Sequence, residues 1–369
     1  MGTAVAAGAL ARPTLSQAAV VRPDTLLEWV DEQVDFILSK QLSSGAVLAP
    51  DDVTITPYFV SWGLMGLARV NDERSRTAIG RYLEWYLDHL NTAEEDLYGF
   101  AGTVYVHSYD PDTGAETSTG AYSSVDAGVA TPVMLARDAW ATGDTDLQAY
   151  VLDQIELWES MIDIDVNSAP DGVAQDDGLC EVRPGGVIYV QDNAVVHAGM
   201  LALAELEKAL GRNEKAAHYR SRAQRLRTAL LAKLWSEQNQ TWHWALSNTG
   251  KPSESIPERR FYPEGWAQYW PVHLDIVTPK SPKGAAAWAS YTEGYPNWAG
   301  LEFENDFPHT EMALAAVKMG ERHEAVRMLQ SIRERYEPSG WGDNWYVGES
   351  GHFIRAALAA AGGRNRVGW

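Results

Sequence analysis

Two carboxylates occupy matching places in the chain. Asp126 stands in "SSVDAGVATPVMLARDAW" (123–140) and Asp192 in "YVQDNAVVHAGMLALAEL" (189–206). Each follows a long polar stretch and opens an apolar helix. An Asp at a helix start is an ordinary N-cap, which stabilises the helix by about 0.5–2 kcal/mol. Two acids on neighbouring, matching mounts also suit general acid/base chemistry. A partly desolvated carboxyl holds a proton, and many enzymes that break glycosidic bonds use two carboxyls. Rival acids lie in later loops: Glu264 in "RRFYPEGWAQYWPVH", Glu302, Glu304 and Asp306 in "LEFENDFPHT", and Asp343 and Glu349 at and within "NWYVGESGH". Asp176 and Asp177 read as turn residues.

Flat rings and polar side chains near these acids are candidate substrate contacts. They are Trp62, Trp266, Trp270, Trp341 and Trp345, with His107, Asn193, His197, Glu264 and His309. Trp298 belongs to the same loops, whereas Trp85, Trp140 and Trp158 read as packing residues. Arg183, Arg259 and Arg260 are placed to bind a carboxylate-bearing sugar. The histidines form no HExxH or His-x-His pair, so no metal is expected. His243, His309 and His352 keep open a sugar 2-epimerase that works with facing histidines. No GxSxG elbow, phosphate loop or dinucleotide fingerprint occurs, and no cofactor is expected.

The mounts come from a repeat. "ARVNDERSR" (68–76), "WATGDTDLQ" (140–148), "ALGRNEKAA" (209–217) and "VKMGERHEA" (317–325) each end an apolar helix and pass an Asn or Gly. Each then starts an amphipathic helix, which is the turn of an αα-hairpin with a left-handed residue after the helix. The turns lie about 70, about 70 and about 108 residues apart, and the last gap has room for one more at "VTPKSPKG" (277–284). Twelve helices follow, near 24–41 (Asp24 as cap), 57–70, 74–90, 124–142, 144–161, 192–211, 213–234, 262–276, 281–291, 307–320, 322–336 and 348–362. Short and long connections alternate, so all the long loops gather at one end of the array. Two of these loops read as β-hairpins, around "DPDTG" and around "RPGG". Six helical hairpins with long loops on one rim predict an all-α, closed (α/α)6 barrel with a cleft in that rim. Open solenoids have shorter, more uniform repeats.

Composition sets the remaining bounds. The chain has 369 residues, a formal charge of −20, and 15 Trp and 16 Tyr. The acidity disfavours nucleic acid and anionic membrane surfaces, and no apolar run is long enough to span a bilayer. Cys180 is the single cysteine, which excludes an intrachain disulfide and a Cys-based zinc site. Residues 1–20 are rich in small residues and read as a flexible N-terminus or the remnant of an export signal. Residues 21–369 are expected to form one domain, as a monomer or weak homodimer. Cytoplasmic and secreted locations both fit.

The repeat plan over most of the chain resembles the six-hairpin glycosidases. The segments around Asp126 and Asp192 are similar to those of the unsaturated glucuronyl hydrolases, with Val125 where that family has His. The resemblance implies that Asp192 is the general acid/base and Asp126 its acidic partner. The expectation is a carbohydrate-active enzyme, foremost a glycoside hydrolase acting on an oligo- or polysaccharide. A polysaccharide lyase, a sugar epimerase and a non-catalytic glycan- or protein-binding barrel are the alternatives.

Overall fold

A computed structural model describes residues 21–253, 260–342 and 344–362. The expected N-terminal segment 1–20, Arg259 and Asp343 lie outside the described residues. The helices are α1 (Pro23–Ser39), α2 (Pro57–Val70), α3 (Glu73–Asp88), α4 (Asp126–Ala141), α5 (Thr145–Asp153), α6 (Ile155–Val166) and α7 (Val190–Ala209). They continue with α8 (Asn213–Lys233), α9 (Trp266–His273), α10 (Pro282–Gly294), α11 (Glu311–Met319), α12 (Arg322–Tyr336) and α13 (Val347–Ala360).

The turn signals place the hairpins correctly. Asn71, Gly143, Gly211 and Gly320, one in each quoted turn, all adopt positive φ. The helix expected at 144–161 divides at Gln154 into α5 and α6 and runs on to Val166. The helix expected at 307–320 starts only at Glu311, because His309 takes a φ of 54° that no helix continues through. Asp24 is not a cap: Arg22 holds that position and Pro23 begins the helix.

Six helices form an inner ring in the order α2, α4, α7, α9, α11, α13, each packed on the next, and α13 closes on α2. The outer helices α1, α3, α5 with α6, α8, α10 and α12 pack around them. This is the (α/α)6 barrel. Inner helices are buried on nearly every face. Every long loop enters the N-terminal end of an inner helix, so these loops share one rim.

The first predicted β-hairpin is present, with β2 (His107–Tyr109) antiparallel to β3 (Glu116–Ser118) and β1 (Thr54–Ile55) added at its edge. The second is a tight turn only. Val182 N–H donates to Val187 O at 2.9 Å across Pro184-Gly185-Gly186. The strand after it, β4 (Ile188–Tyr189), pairs instead with a distant segment, Ala245–Leu246. A backbone group near a barrel rim takes the closest partner, and here that partner comes from the next long loop.

Ring closure depends on small residues where α13 meets α2. A Cβ on Gly351 would lie 2.1 Å from the Trp62 carbonyl oxygen and 2.6 Å from Gly63 Cα. Gly351→Ala must therefore separate two inner helices, and its expected cost reaches the upper end of the ~1–3 kcal/mol typical of overpacking. Gly128→Ala on α4 meets only Ser124 Oγ at 3.8 Å and should be neutral or slightly stabilising. Urea midpoints of the two variants test the contrast.

Candidate active site

The rim opens into a cavity of roughly 810 Å³, within the usual range for small-molecule sites. All six inner helices or the loops entering them contribute to its wall. Asp192 lines it. Its helix is capped by Tyr189, not by Asp192, which is the third helical residue. Asp192 accepts no hydrogen bond among the described residues, so the capping explanation for this residue fails. Burial pushes its carboxyl up to about 7.

Asp126 does not share the cavity, contrary to expectation. It is fully buried, accepts the N–H of Ala127 at 2.7 Å, and leaves the wall to Ser123, Ser124 and Val125. Helix register is the reason. Asp126 is the first residue of α4 and Asp192 the third of α7. At 3.6 residues per turn the two positions point about 200° apart around their helices. Burial, then the charges of Asp192 and Asp165, hold the Asp126 carboxyl well above the usual range. Asp126 thus sits in the core behind the cavity wall.

The acids that share the cavity with Asp192 are Glu311, Glu349 and Asp306. Glu349 is the third residue of α13, as Asp192 is of α7. In the ring of six, α7 and α13 stand third and sixth, on opposite sides. Both are preceded by the same signal, Tyr189-Val190-Gln191-Asp192 and Tyr346-Val347-Gly348-Glu349, with an extended Tyr at the cap. That repeat was available in the sequence. It joins acids on opposite sides of the ring rather than on neighbouring hairpins.

Glu349 accepts the backbone N–H groups of His309 at 3.2 Å and Thr310 at 2.8 Å. Burial, then the charge of Glu311, raises its carboxyl to about 7, against the lowering effect of His309 and these hydrogen bonds. Glu311, absent from the sequence-based candidates, takes the opposite course. Burial favours its neutral form, but the hydrogen bond and charge of His309, the charge of His352 and the Trp266 indole N–H hold it at about 2. Its Oε1 accepts from Trp266 Nε1 at 2.7 Å and from the Tyr269 hydroxyl at 3.0 Å. Tyr58 lines the cavity from α2, and burial, then the charges of Asp192 and Glu311 among others, push its hydroxyl up.

Of the expected contacts, Trp62, Trp266, Trp270 and His309 line this cavity, as do Arg183 and His352. The others do not. His107 packs against Trp85 and His89 on the outer side of the hairpin. Asn193 is structural: it accepts the Cys180 N–H and donates to the carbonyls of Cys180 and Tyr189. His197 is buried one helical turn and more below Asp192, within reach of the charge of Arg227 on outer helix α8. Glu264 is buried outside the wall and paired with Arg260 at 3.0 Å. Trp341 and Trp345 border a separate hollow, which shares Phe307 and Tyr346 with the wall of the main cavity.

His309, Glu311 and Glu349 are close enough for one ligand atom of each to lie within 4.8 Å of the others. The two carboxylates accept from Trp266, Tyr269 and backbone N–H groups, whereas His309 Nε2 is buried without a partner among the described residues. No helix among the described residues is long and apolar enough to cross a membrane.

Comparison with known proteins agrees with the fold. Residues 163–300 match the family model of the mannosylglycerate hydrolase MGH1-like glycoside hydrolase domain. No curated protein matches the chain. Among solved structures, Rex8A from Paenibacillus barcinonensis, complexed with xylose, superposes with a TM-score of 0.61 at 12% identity over 93% of this chain and 94% of that one. A bacterial glucoamylase complexed with acarbose gives 0.58 at 12% identity, over 92% of this chain and 55% of its own length. A D-mannose isomerase gives 0.57 at 11% identity, over 94% and 97%. The chain thus resembles the six-hairpin glycosidases in fold, and over 163–300 in sequence.

Proposed function

We propose that the protein is a glycoside hydrolase in which Asp192 is the general acid and Glu349 the general base. One observation carries this reading: the two carboxyls occupy the same helical position on opposite inner helices, facing one cavity, and both titrate near 7. A carboxyl whose proton affinity lies near the working pH serves well either as donor or as acceptor. Asp192, free of hydrogen bonds to the described residues, gives its proton to the glycosidic oxygen. Glu349, fixed by two backbone N–H groups, takes a proton from water on the other side of the sugar. Glu311 stays ionised, raises the proton affinity of Glu349 by its charge, and orients Trp266 and Tyr269. Trp62, Trp266 and Trp270 offer faces to the C–H surfaces of a sugar. No step needs a cofactor.

A sugar isomerase or epimerase is the second reading, favoured by His309 and His352 on the same wall and by the shared fold of the D-mannose isomerase. The two are separated by assaying a panel of oligosaccharides and glycosides for released reducing ends, beside free aldoses analysed for isomerised product. New reducing ends are the expected result. Isomerised monosaccharide with no bond cleavage would reject the hydrolase.

A further inference from the structure

Beneath the cavity floor the barrel axis carries a guanidinium, that of Arg355, which no carboxylate among the described residues pairs with directly. Arg355 lies one turn deeper on α13 than His352, Arg69 two turns deeper on α2 than Trp62, and His273 one turn deeper on α9 than Trp270. None of these three deeper residues lines the cavity. The groups are packed together. The His273 ring is 5.6 Å from that of His352 and 5.1 Å from that of Trp270, and the Arg355 guanidinium lies 5.5 Å over the Trp62 ring.

Donors in this plug outnumber acceptors. Arg355 is 5% exposed and makes no hydrogen bond or ion pair with a described residue, and its Nη1 is fully enclosed. Arg69 Nη1 and both nitrogens of His273 are likewise buried without a partner. The acids in reach among the described residues are each ion-paired elsewhere, although Asp138 Oδ1 accepts no hydrogen bond. Asp138 binds Arg69 at 3.2 Å and Arg137 at 3.0 Å, Asp275 binds Lys318 at 2.8 Å, and the half-exposed Glu205 lies 3.6 Å from Arg137. Of the charges acting on Arg355, that of Arg69 is the largest and opposes it; those of Asp138 and Asp275, each paired to another cation, favour it, and that of Arg137 opposes it. A desolvated guanidinium without a counter-ion is costly. Water would answer its hydrogen bonds but not its charge.

We infer that a small monovalent anion of the halide class binds on the barrel axis, held by Arg355, Arg69 and His273. The ring of Trp62, Trp270 and His352 above it leaves no route for a sugar, so this site is separate from the cleft. It does not depend on the catalytic assignment.

Thermal melting in sodium chloride, bromide and gluconate at matched ionic strength is the first test. Chloride and bromide are expected to raise Tm by about 1–3 °C per tenfold increase beyond saturation, and gluconate is not. Crystals grown in bromide should show anomalous scattering within hydrogen-bond distance of Arg355. Arg355→Met should abolish the halide effect on melting. Where that variant does not fold, the two wild-type measurements decide. Equal melting in chloride and gluconate, or bromide found only elsewhere, overturns the proposal.

Discussion

Asp192→Asn is expected to reduce kcat by about 10²–10⁴ while making the protein more stable above neutral pH. The loss in rate follows from the missing proton donor, since Asn fills the same space but cannot protonate a leaving oxygen. The gain in stability follows from the cost of holding a carboxyl in this cavity. In the unfolded chain Asp192 titrates near 3.8, and in the folded protein near 7. Between those values the folded state binds a proton that the unfolded state has released. Stability contributed by this group is therefore present below about pH 4 and lost as the pH rises through 7. A shift of this size corresponds to at most about 4 kcal/mol, reduced by solvent in the cavity. Melting curves of the two proteins should coincide at pH 4 and separate by pH 8, with the Asn variant higher. A merely structural Asp192 would show the reverse, with the variant less stable throughout. Retained hydrolysis by a folded Asn variant would remove Asp192 from the chemistry.

The legible and illegible parts of this chain divide along a physical line. Local backbone chemistry wrote the hairpins: Asn71, Gly143, Gly211 and Gly320 are where a helix must reverse, and the left-handed backbone there admits few other residues. The alternation of short and long connections then gave the barrel and its working rim. What the sequence did not disclose was rotation. Asp126 and Asp192 follow the same kind of loop, but their distance from the helix start differs by two residues, and that sends one into the core and the other into the cavity. Helix starts are uncertain by about that much when read from sequence. Glu311 was harder still. The left-handed His309 moves the start of α11 to Glu311, and nothing local announces a bent histidine. Trp341 and Trp345 illustrate a third limit. Rim aromatics were placed at the correct end of the barrel, but which hollow they border depends on how the long loops pack together.

Glu349→Gln is the matching expectation on the opposite wall, with kcat reduced by about 10²–10⁴. Gln retains an oxygen to accept one of the N–H bonds from His309 and Thr310, so the start of α11 should hold. Glu311→Gln separates the two glutamates. The charge of Glu311 is a main reason, after burial, that Glu349 titrates near 7. Without that charge the pKa of Glu349 falls, and the acidic limb of the kcat/KM profile moves to lower pH. The alkaline limb, set by loss of the Asp192 proton, should stay near 7. Wild type is thus expected to show a narrow bell around pH 7, and the Glu311 variant a broader one extending to the acid side. Its maximal rate should also fall, since a less basic Glu349 accepts a proton less well and Trp266 and Tyr269 lose a charged acceptor. If Glu349→Gln retains activity while Glu311→Gln abolishes it, the base is Glu311, and the carboxyl on α13 serves only to hold the left-handed turn at His309.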